Sequence, residues 1–241
     1  MERNALRFTI EGSFCSFRDP TGAKYQQTFW FPPKTTIVGF LGAALGLAPP
    51  DLEPLYDEVE VGVLLRSWGG LARDLWGYTK LKRGVEPEAA VVVRELIYKP
   101  RYIVYVASDD LGFLGKLRLA LWDPVYPLRF GRGEDLALMR GTPEPVTLRV
   151  PSRSTILRWT LLPYTLEQRK CSLESPTREP PPRMPPRPVR MPIRFTYKPG
   201  WVREPDPARD FRWMTQVLDW GVQPDTTEGM WTDGEQTFYL V

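Results

Sequence analysis

The chain has 241 residues, 42% of them hydrophobic and 25% charged, enough to bury a sizeable core as one domain of ordinary size, alone or with a long appendage. It has no histidine and two cysteines, Cys15 and Cys171, which excludes Cys/His zinc sites, histidine triads, histidine acid–base pairs and a disulfide framework. The net charge of +3 is modest, no apolar run is long enough to span a bilayer, and no basic-then-apolar leader opens the sequence. A soluble cytoplasmic protein with no cofactor, no metal and no membrane partner is therefore expected.

Leu6, Phe8 and Ile10 alternate with polar residues, so residues 5–11 are expected to form a half-buried strand. Pro32 and Pro33 then enforce extended backbone, which makes Thr35 or Thr36 the expected cap of a helix running to about residue 47. Gly39, Gly42 and Gly46 share one face of that helix and call for close packing, against a sheet of the same domain. They follow the Lys34–Thr35 pair rather than precede it, so the phosphate-loop pattern is absent, although Lys34 at a helix amino terminus suits a single phosphate. Val59, Val61, Val63 and Leu65 give a second strand. Residues 67–88 break the pattern with glycines and read as an insertion. Val91–Tyr98 and Tyr102–Ala107 are expected strands joined by a Lys99-Pro100-Arg101 hairpin turn. Leu111–Trp122 has helical spacing, Asp123-Pro124 ends it, and Val125–Phe130 is expected to return as a strand. This order predicts an α+β fold, a ferredoxin-like or RRM-type domain with a decorated middle, in which an antiparallel four-stranded sheet carries both helices on one face. No RNP1 motif is present, and Tyr102 and Tyr105 point to opposite faces, so both are read as packing residues.

Beyond Met139 the organisation weakens. Short strands are expected at 146–150 and 154–162, and residues 175–203 are expected to form a proline- and arginine-rich arm, ordered on a partner or RNA or else disordered and solvated, with Arg183, Arg187, Arg190 and Arg194 recurring along it. The expected division is a domain over 1–140, with its insertion at about 67–93, and a β-rich carboxy-terminal extension over 141–241. Charge follows this organisation: two basic zones, residues 66–83 and 177–203, precede a tail that has no Lys or Arg after Arg212 but carries Asp219, Asp225, Glu228, Asp233 and Glu235. A polyanion on one surface and a protein neighbour on another fit that distribution. The 24 arginines against 8 lysines, with 26 prolines, fit heat adaptation and a GC-rich genome equally.

Two constellations bear on function. The insertion joins Arg66, Arg73, Lys80, Lys82 and Arg83 to Trp68, Trp76 and Tyr78, a basic–aromatic mixture suited to single-stranded nucleic acid, while the same tryptophans would also serve to pin the insertion to its own domain. Gly131-Arg132-Gly133-Glu134-Asp135, with Arg129 just before it, offers amides and guanidiniums at a tight turn. Arg18 beside Asp19-Pro20-Thr21-Gly22 is either a phosphate contact or half of an Arg18–Asp19 turn.

Three blocks carry a family resemblance: FCSFRDPTGAKYQQTFWFPPKTTIVGFLGAALGL (14–47), RELIYKPRYIVYVAS (94–108) and DPVYPLRFGRGEDLAL (123–138). The chain resembles the Cas-five family, a repeat-associated (RAMP) subunit of type I CRISPR Cascade complexes. Gly133 stands where that family often has serine. The resemblance implies a RAMP fold whose insertion is a hairpin thumb. It also implies a non-catalytic subunit that grips the 5′ handle of crRNA, caps the backbone subunits and docks the large subunit that inspects target DNA. The resemblance favours RNA binding by the insertion as a whole without assigning each residue; the expected RNA-binding set is Arg18, Lys34, Arg66, Trp68, Arg73, Trp76, Tyr78, Lys80, Lys82, Arg83, Arg129 and Arg132. Some relatives cleave repeat RNA, and Tyr25 with Lys24, or Tyr78 with Lys80, would be a partial set for that chemistry without its histidine. A protein-only interaction module is the remaining alternative.

Overall fold

The computed structural model describes residues 1–22, 25–81, 84, 86–175, 184–204 and 206–241. Thirteen elements frame the site: β1 (Glu2–Gly12), α1 (Lys34–Leu45), β2 (Glu60–Ser67), β3 (Gly70–Lys80), β4 (Glu88–Tyr98), β5 (Arg101–Ala107), α2 (Leu111–Trp122), β6 (Ala137–Arg149), β7 (Thr160–Leu162), β8 (Arg187–Pro192), β9 (Phe211–Val217), β10 (Met230–Thr232) and β11 (Thr237–Tyr239). Nine strands form one sheet in the order β8-β9-β7-β2-β5-β1-β6-β10-β11. Its centre, β2-β5-β1-β6, is antiparallel throughout.

Period-two alternation decides which face each strand buries. Leu6, Phe8 and Ile10 of β1, Val61, Val63 and Leu65 of β2, and Tyr102, Val104 and Val106 of β5 face one core with Ile37, Val38, Phe40 and Leu41 of α1 and Leu114, Leu117 and Leu121 of α2. The intervening residues Ala5, Leu64, Ile103 and Tyr105 face a second cluster with Trp231, Phe238 and Leu240. Tyr102 and Tyr105 are fully buried on opposite faces, as packing residues. The Tyr102 hydroxyl donates to the Trp30 carbonyl at 2.7 Å.

Several local expectations give way. Neither Thr35 nor Thr36 caps α1. Pro33 occupies the cap position with no side-chain hydrogen bond, because the helix begins at Lys34, ahead of both threonines. The glycine face of α1 does not meet a sheet. Gly42 lies under Leu52, where a Cβ would fall 2.2 Å from Cδ2, and Gly39 has nothing within 4 Å of a Cβ position. Gly46 ends the helix in the left-handed region at φ 74°, with Leu47 N–H donating to the Gly42 carbonyl at 2.9 Å. Lys99-Pro100-Arg101 is not a hairpin turn: β4 pairs with β3 and β5 with β1 and β2, so this link carries the chain from one sheet to another. Val125–Phe130 does not form a strand; the next strand is β6, which starts at Ala137. Of the arginine arm, Arg183 lies outside the described residues, and Arg187–Pro192 pairs with β9 as the edge strand β8, a position that tolerates Pro188 and Pro192. Two of its arginines are engaged within the chain: Arg187 donates to Gln27 at 3.1 Å and Arg194 to Asp57 at 3.1 Å.

Among the described residues no single helix is long and apolar enough to cross a membrane.

Candidate nucleic-acid interface

A cleft of about 630 Å3 opens between the first loop, the outer face of α1, the loop after α2 and the segment following β8. Gly39 leaves its α1 wall at backbone height while Leu52 covers Gly42, and Arg18, Arg129, Arg132 and Arg203 line it. Three of these four arginines are in the set expected from sequence. Arg203 is not; it comes from the segment between β8 and β9 and sits over the Phe195 ring at 4.5 Å.

The glycine turn is fixed to the first loop by one buried carboxylate. Asp135 accepts hydrogen bonds from Ser16 N–H at 3.1 Å, Arg132 N–H at 3.0 Å and the Arg132 guanidinium at 2.7 Å. The Asp135 side chain is 2% exposed and that of Arg132 is 18% exposed. That hydrogen bond to Asp135 raises the Arg132 pKa above its ordinary value, despite partial burial. Arg132 thus holds the turn, with Glu134 as a second partner at 3.2 Å. Gly131 has φ 123°, and a Cβ there would meet the Ser16 carbonyl oxygen at 2.7 Å, so this position requires glycine. Gly133 differs: its nearest neighbour is an Arg129 nitrogen at 3.8 Å, which leaves room for the serine that the resembled family often carries.

Arg18 and Arg129 are exposed and have no carboxylate partner among the described residues. The Arg18–Asp19 turn is not what forms. Asp19 is buried and accepts from Thr21 N–H at 2.9 Å and Thr21 Oγ at 2.6 Å, closing the loop on its own and leaving Arg18 available.

Strands β3 and β4 pair over eleven residues each, from Gly70 opposite Tyr98 to Lys80 opposite Glu88, a hairpin roughly 35 Å long. The other edge of β4 is stapled by two pieces of the first loop, Phe14–Cys15 and Tyr25–Gln26. The two tryptophans part here. Trp68 packs edge-on against Trp30 at 4.8 Å and anchors the hairpin base to the core, so it is a pinning residue. Trp76 and Tyr78 are exposed and stacked at 6.1 Å, and the Arg94 guanidinium lies 3.4 Å from the Trp76 ring centre. Arg73 is 5.8 Å from the Tyr25 ring, and Lys80 makes an exposed pair with Glu88 at 3.6 Å.

Arg94 joins the two parts. It donates to Gln26 at 2.9 Å, reaches Glu134 at 3.6 Å and is partly buried. Burial, then the charge of Arg132, lowers its pKa. The residue set read from sequence omitted it, although the alternation of β4 and its place at the start of the second family-like block were signals that marked it.

The remaining expected residues are elsewhere. Lys34 borders a separate pocket of about 310 Å3 with Arg194 and Arg212, and burial together with Arg212 pushes its pKa down to about 8. Arg66 lies on the opposite face of the sheet. Lys24, Lys82 and Arg83 are outside the described residues.

A family described as CRISPR-associated protein (Cas_Cas5) matches residues 5–192. The chain belongs to that family. No curated protein matches the sequence. Among solved structures, a chain titled "CRISPR RNA-guided surveillance complex" aligns over 89% of this family member and 90% of its own length, with a TM-score of 0.52 and 13% identity, a likeness of fold. Two others are a "Crystal structure of Cas protein" (TM-score 0.42, 18% identity, 92% and 96% covered) and a chain of "Type III-B Cmr-beta bound to cognate target RNA and AMPPnP" (TM-score 0.47, 9% identity, 92% and 86% covered).

Proposed function

We propose that this family member is a non-catalytic subunit of a type I Cascade complex, which holds the 5′ handle of crRNA, caps the backbone subunits and docks the large subunit for inspection of target DNA. The observation that carries this reading is a continuous surface. The exposed Trp76–Tyr78 stack passes through Arg94 to the glycine turn and into the cleft with Arg18, Arg129 and Arg203. Guanidiniums along a groove bind phosphates, and adjoining exposed aromatics stack bases and set register. We read β1, α1, β2, β5, α2 and β6 as the ferredoxin-like RAMP unit and the β3–β4 hairpin as its thumb.

The non-catalytic part of the proposal rests on what the candidate groups are already doing. Tyr25 donates to Glu95 at 2.6 Å, and that hydrogen bond raises its pKa, which disfavours the phenolate a base would need. Cys15 is buried and its thiol is pushed far up by desolvation. Lys80 pairs with Glu88.

Co-expression with candidate Cascade subunits and a CRISPR array, followed by purification on this chain and sequencing of the bound RNA, tests the proposal. Uniform RNAs beginning in repeat sequence and crosslinking to residues 70–80 and 129–133 are expected. Absence of RNA, or RNA without a common 5′ end, refutes handle binding. Cleavage of repeat RNA by the purified chain refutes the non-catalytic assignment.

A further inference from the structure

The outward face of the central sheet changes character along its strands. At one end β10 and β11 lie over it, with Phe238 stacked on Tyr105 at 4.1 Å. Gly62 makes room for that ring, since a Cβ there would fall 2.5 Å from it. At the other end the face opens into a groove of about 490 Å3 bordered by Thr9, Glu11, Arg66, Arg101, Ile103 and Arg140. This is the sheet face opposite α1, whose residues line the cleft.

Glu11 is the floor of the groove. Its side chain is 16% exposed, against 51% for Arg101 and 58% for Arg140. Both arginines engage it through Nε, Arg140 at 2.7 Å, which leaves the terminal amino groups of each guanidinium for another acceptor. The Arg140 hydrogen bond keeps the Glu11 carboxyl below its usual range despite partial burial, so the pairing persists at neutral pH. Arg66 is exposed and has no carboxylate partner among the described residues. Three guanidiniums therefore face one carboxylate.

We propose that this groove is a second nucleic-acid contact, separate from the cleft, which carries a single strand across the sheet by its phosphodiester backbone and reads neither base nor sugar. Arg66, Arg101 and Arg140 stand on β2, β5 and β6 with β1 between the last two, so they span about 14 Å perpendicular to the strands. That geometry meets successive phosphates of an extended strand. Base readout is missing for a physical reason: Tyr105, the aromatic of this face, is sealed beneath Phe238, and Ile103 offers no donor. Glu11, the acceptor that would meet a 2′-hydroxyl, is committed to two arginines.

The test is fluorescence anisotropy of the full chain with labelled oligo-dT and oligo-U of equal length, titrated over salt. Each phosphate contact to a single strand contributes about 0.7 to the salt slope. R66Q, which leaves the Glu11 pairs intact, is expected to reduce the slope by about 0.7. The E11Q/R66Q/R101Q/R140Q variant, which leaves no orphan carboxylate, is expected to reduce it by about 2, equivalent to a roughly 20-fold smaller loss of affinity between 50 and 200 mM salt. Oligo-dT and oligo-U are expected to respond alike, and both decrements are expected to persist in an R18Q/R129Q background, where the cleft is weakened. Unchanged slopes, a marked preference for one oligonucleotide, or decrements that vanish in the cleft-weakened background would overturn the proposal. Arginine-dependent binding of a polyglutamate peptide in preference to both oligonucleotides would reassign the groove to an acidic protein segment.

Discussion

Asp135 is where the interface is most exposed to a single substitution. Its carboxylate accepts from two backbone amides, Ser16 and Arg132, and from the Arg132 guanidinium. Asp135→Ala leaves both amides short of a partner and strands a mostly buried guanidinium whose remaining carboxylate, Glu134, is largely exposed. Hydrogen bonds to a charged group contribute about 1.5–3 kcal/mol each, and breaking a buried ion pair by removing one partner costs about 3–5 kcal/mol. These describe overlapping interactions and are not summed, so a loss of about 3–5 kcal/mol is expected. Asp135→Asn keeps one acceptor oxygen and should lose about half as much. Urea denaturation followed by tryptophan fluorescence measures both. Handle-RNA affinity should fall along with stability, because the same carboxylate holds Arg132 and the glycine turn against the first loop. An Asp135→Ala variant within about 0.5 kcal/mol of wild type, the range of an ordinary surface substitution, would refute the reasoning.

Gly131→Ala should destabilise the fold by about 2–3 kcal/mol through its positive φ and the close Ser16 carbonyl, whereas Gly133→Ser should be neutral within about 0.5 kcal/mol in the same denaturation assay. Trp68→Ala should cost about 2 kcal/mol of stability because it empties a half-buried edge-on contact with Trp30. Trp76→Ala should leave stability nearly unchanged and weaken RNA binding by about 1–3 kcal/mol in a filter-binding measurement. Lys34 has a folded-state pKa of about 8, below its unfolded value near 10.4, so its charge opposes folding below pH 8 and the penalty disappears as pH rises through 8 to 10.4. Lys34→Met should therefore stabilise at pH 7 by about 1–3 kcal/mol, and the gain should shrink toward zero by pH 10.4 in matched denaturation curves.

Strands β1, β2, β4 and β5 and both long helices were legible in the sequence because their periodicity is local, whereas the fourth central strand, β6, was expected at Val125–Phe130. Alternation at Leu6, Phe8 and Ile10 needs no knowledge of what lies opposite, and the helical spacing of Leu114, Leu117 and Leu121 likewise needs none. What was not legible depends on pairing between distant segments. Lys99-Pro100-Arg101 has the composition of a hairpin turn, but β4 finds β3 and the first loop while β5 finds β1, and no local signal distinguishes these outcomes. The same reason separates the expected site residues. Arg18, Arg129 and Arg132 converge although more than a hundred residues divide the first from the other two. Lys34 and Arg66, nearer in sequence to Arg18, end in other pockets. Residue type marked the candidates, and topology sorted them.

That sorting has a mechanical consequence. The first loop pairs along the edge of β4 at Phe14–Cys15 and Tyr25–Gln26, and it receives Asp135 at Ser16. The hairpin and the glycine turn are thus held to the same short segment, and Arg94 bridges them by contacts to Gln26 and Glu134. A hairpin tied only at its base would have to be ordered by its ligand at a cost of about 0.5–1.5 kcal/mol for each immobilised side chain. Here the Arg94–Trp76–Tyr78 stack is already assembled, so that much of the cost is met on folding. The expected signature is kinetic: Gln26→Ala, which loosens the bridge while leaving the cleft arginines in place, should slow RNA association more than it alters its salt dependence. The reverse pattern would mean that Arg94 acts as one more phosphate contact and not as a brace.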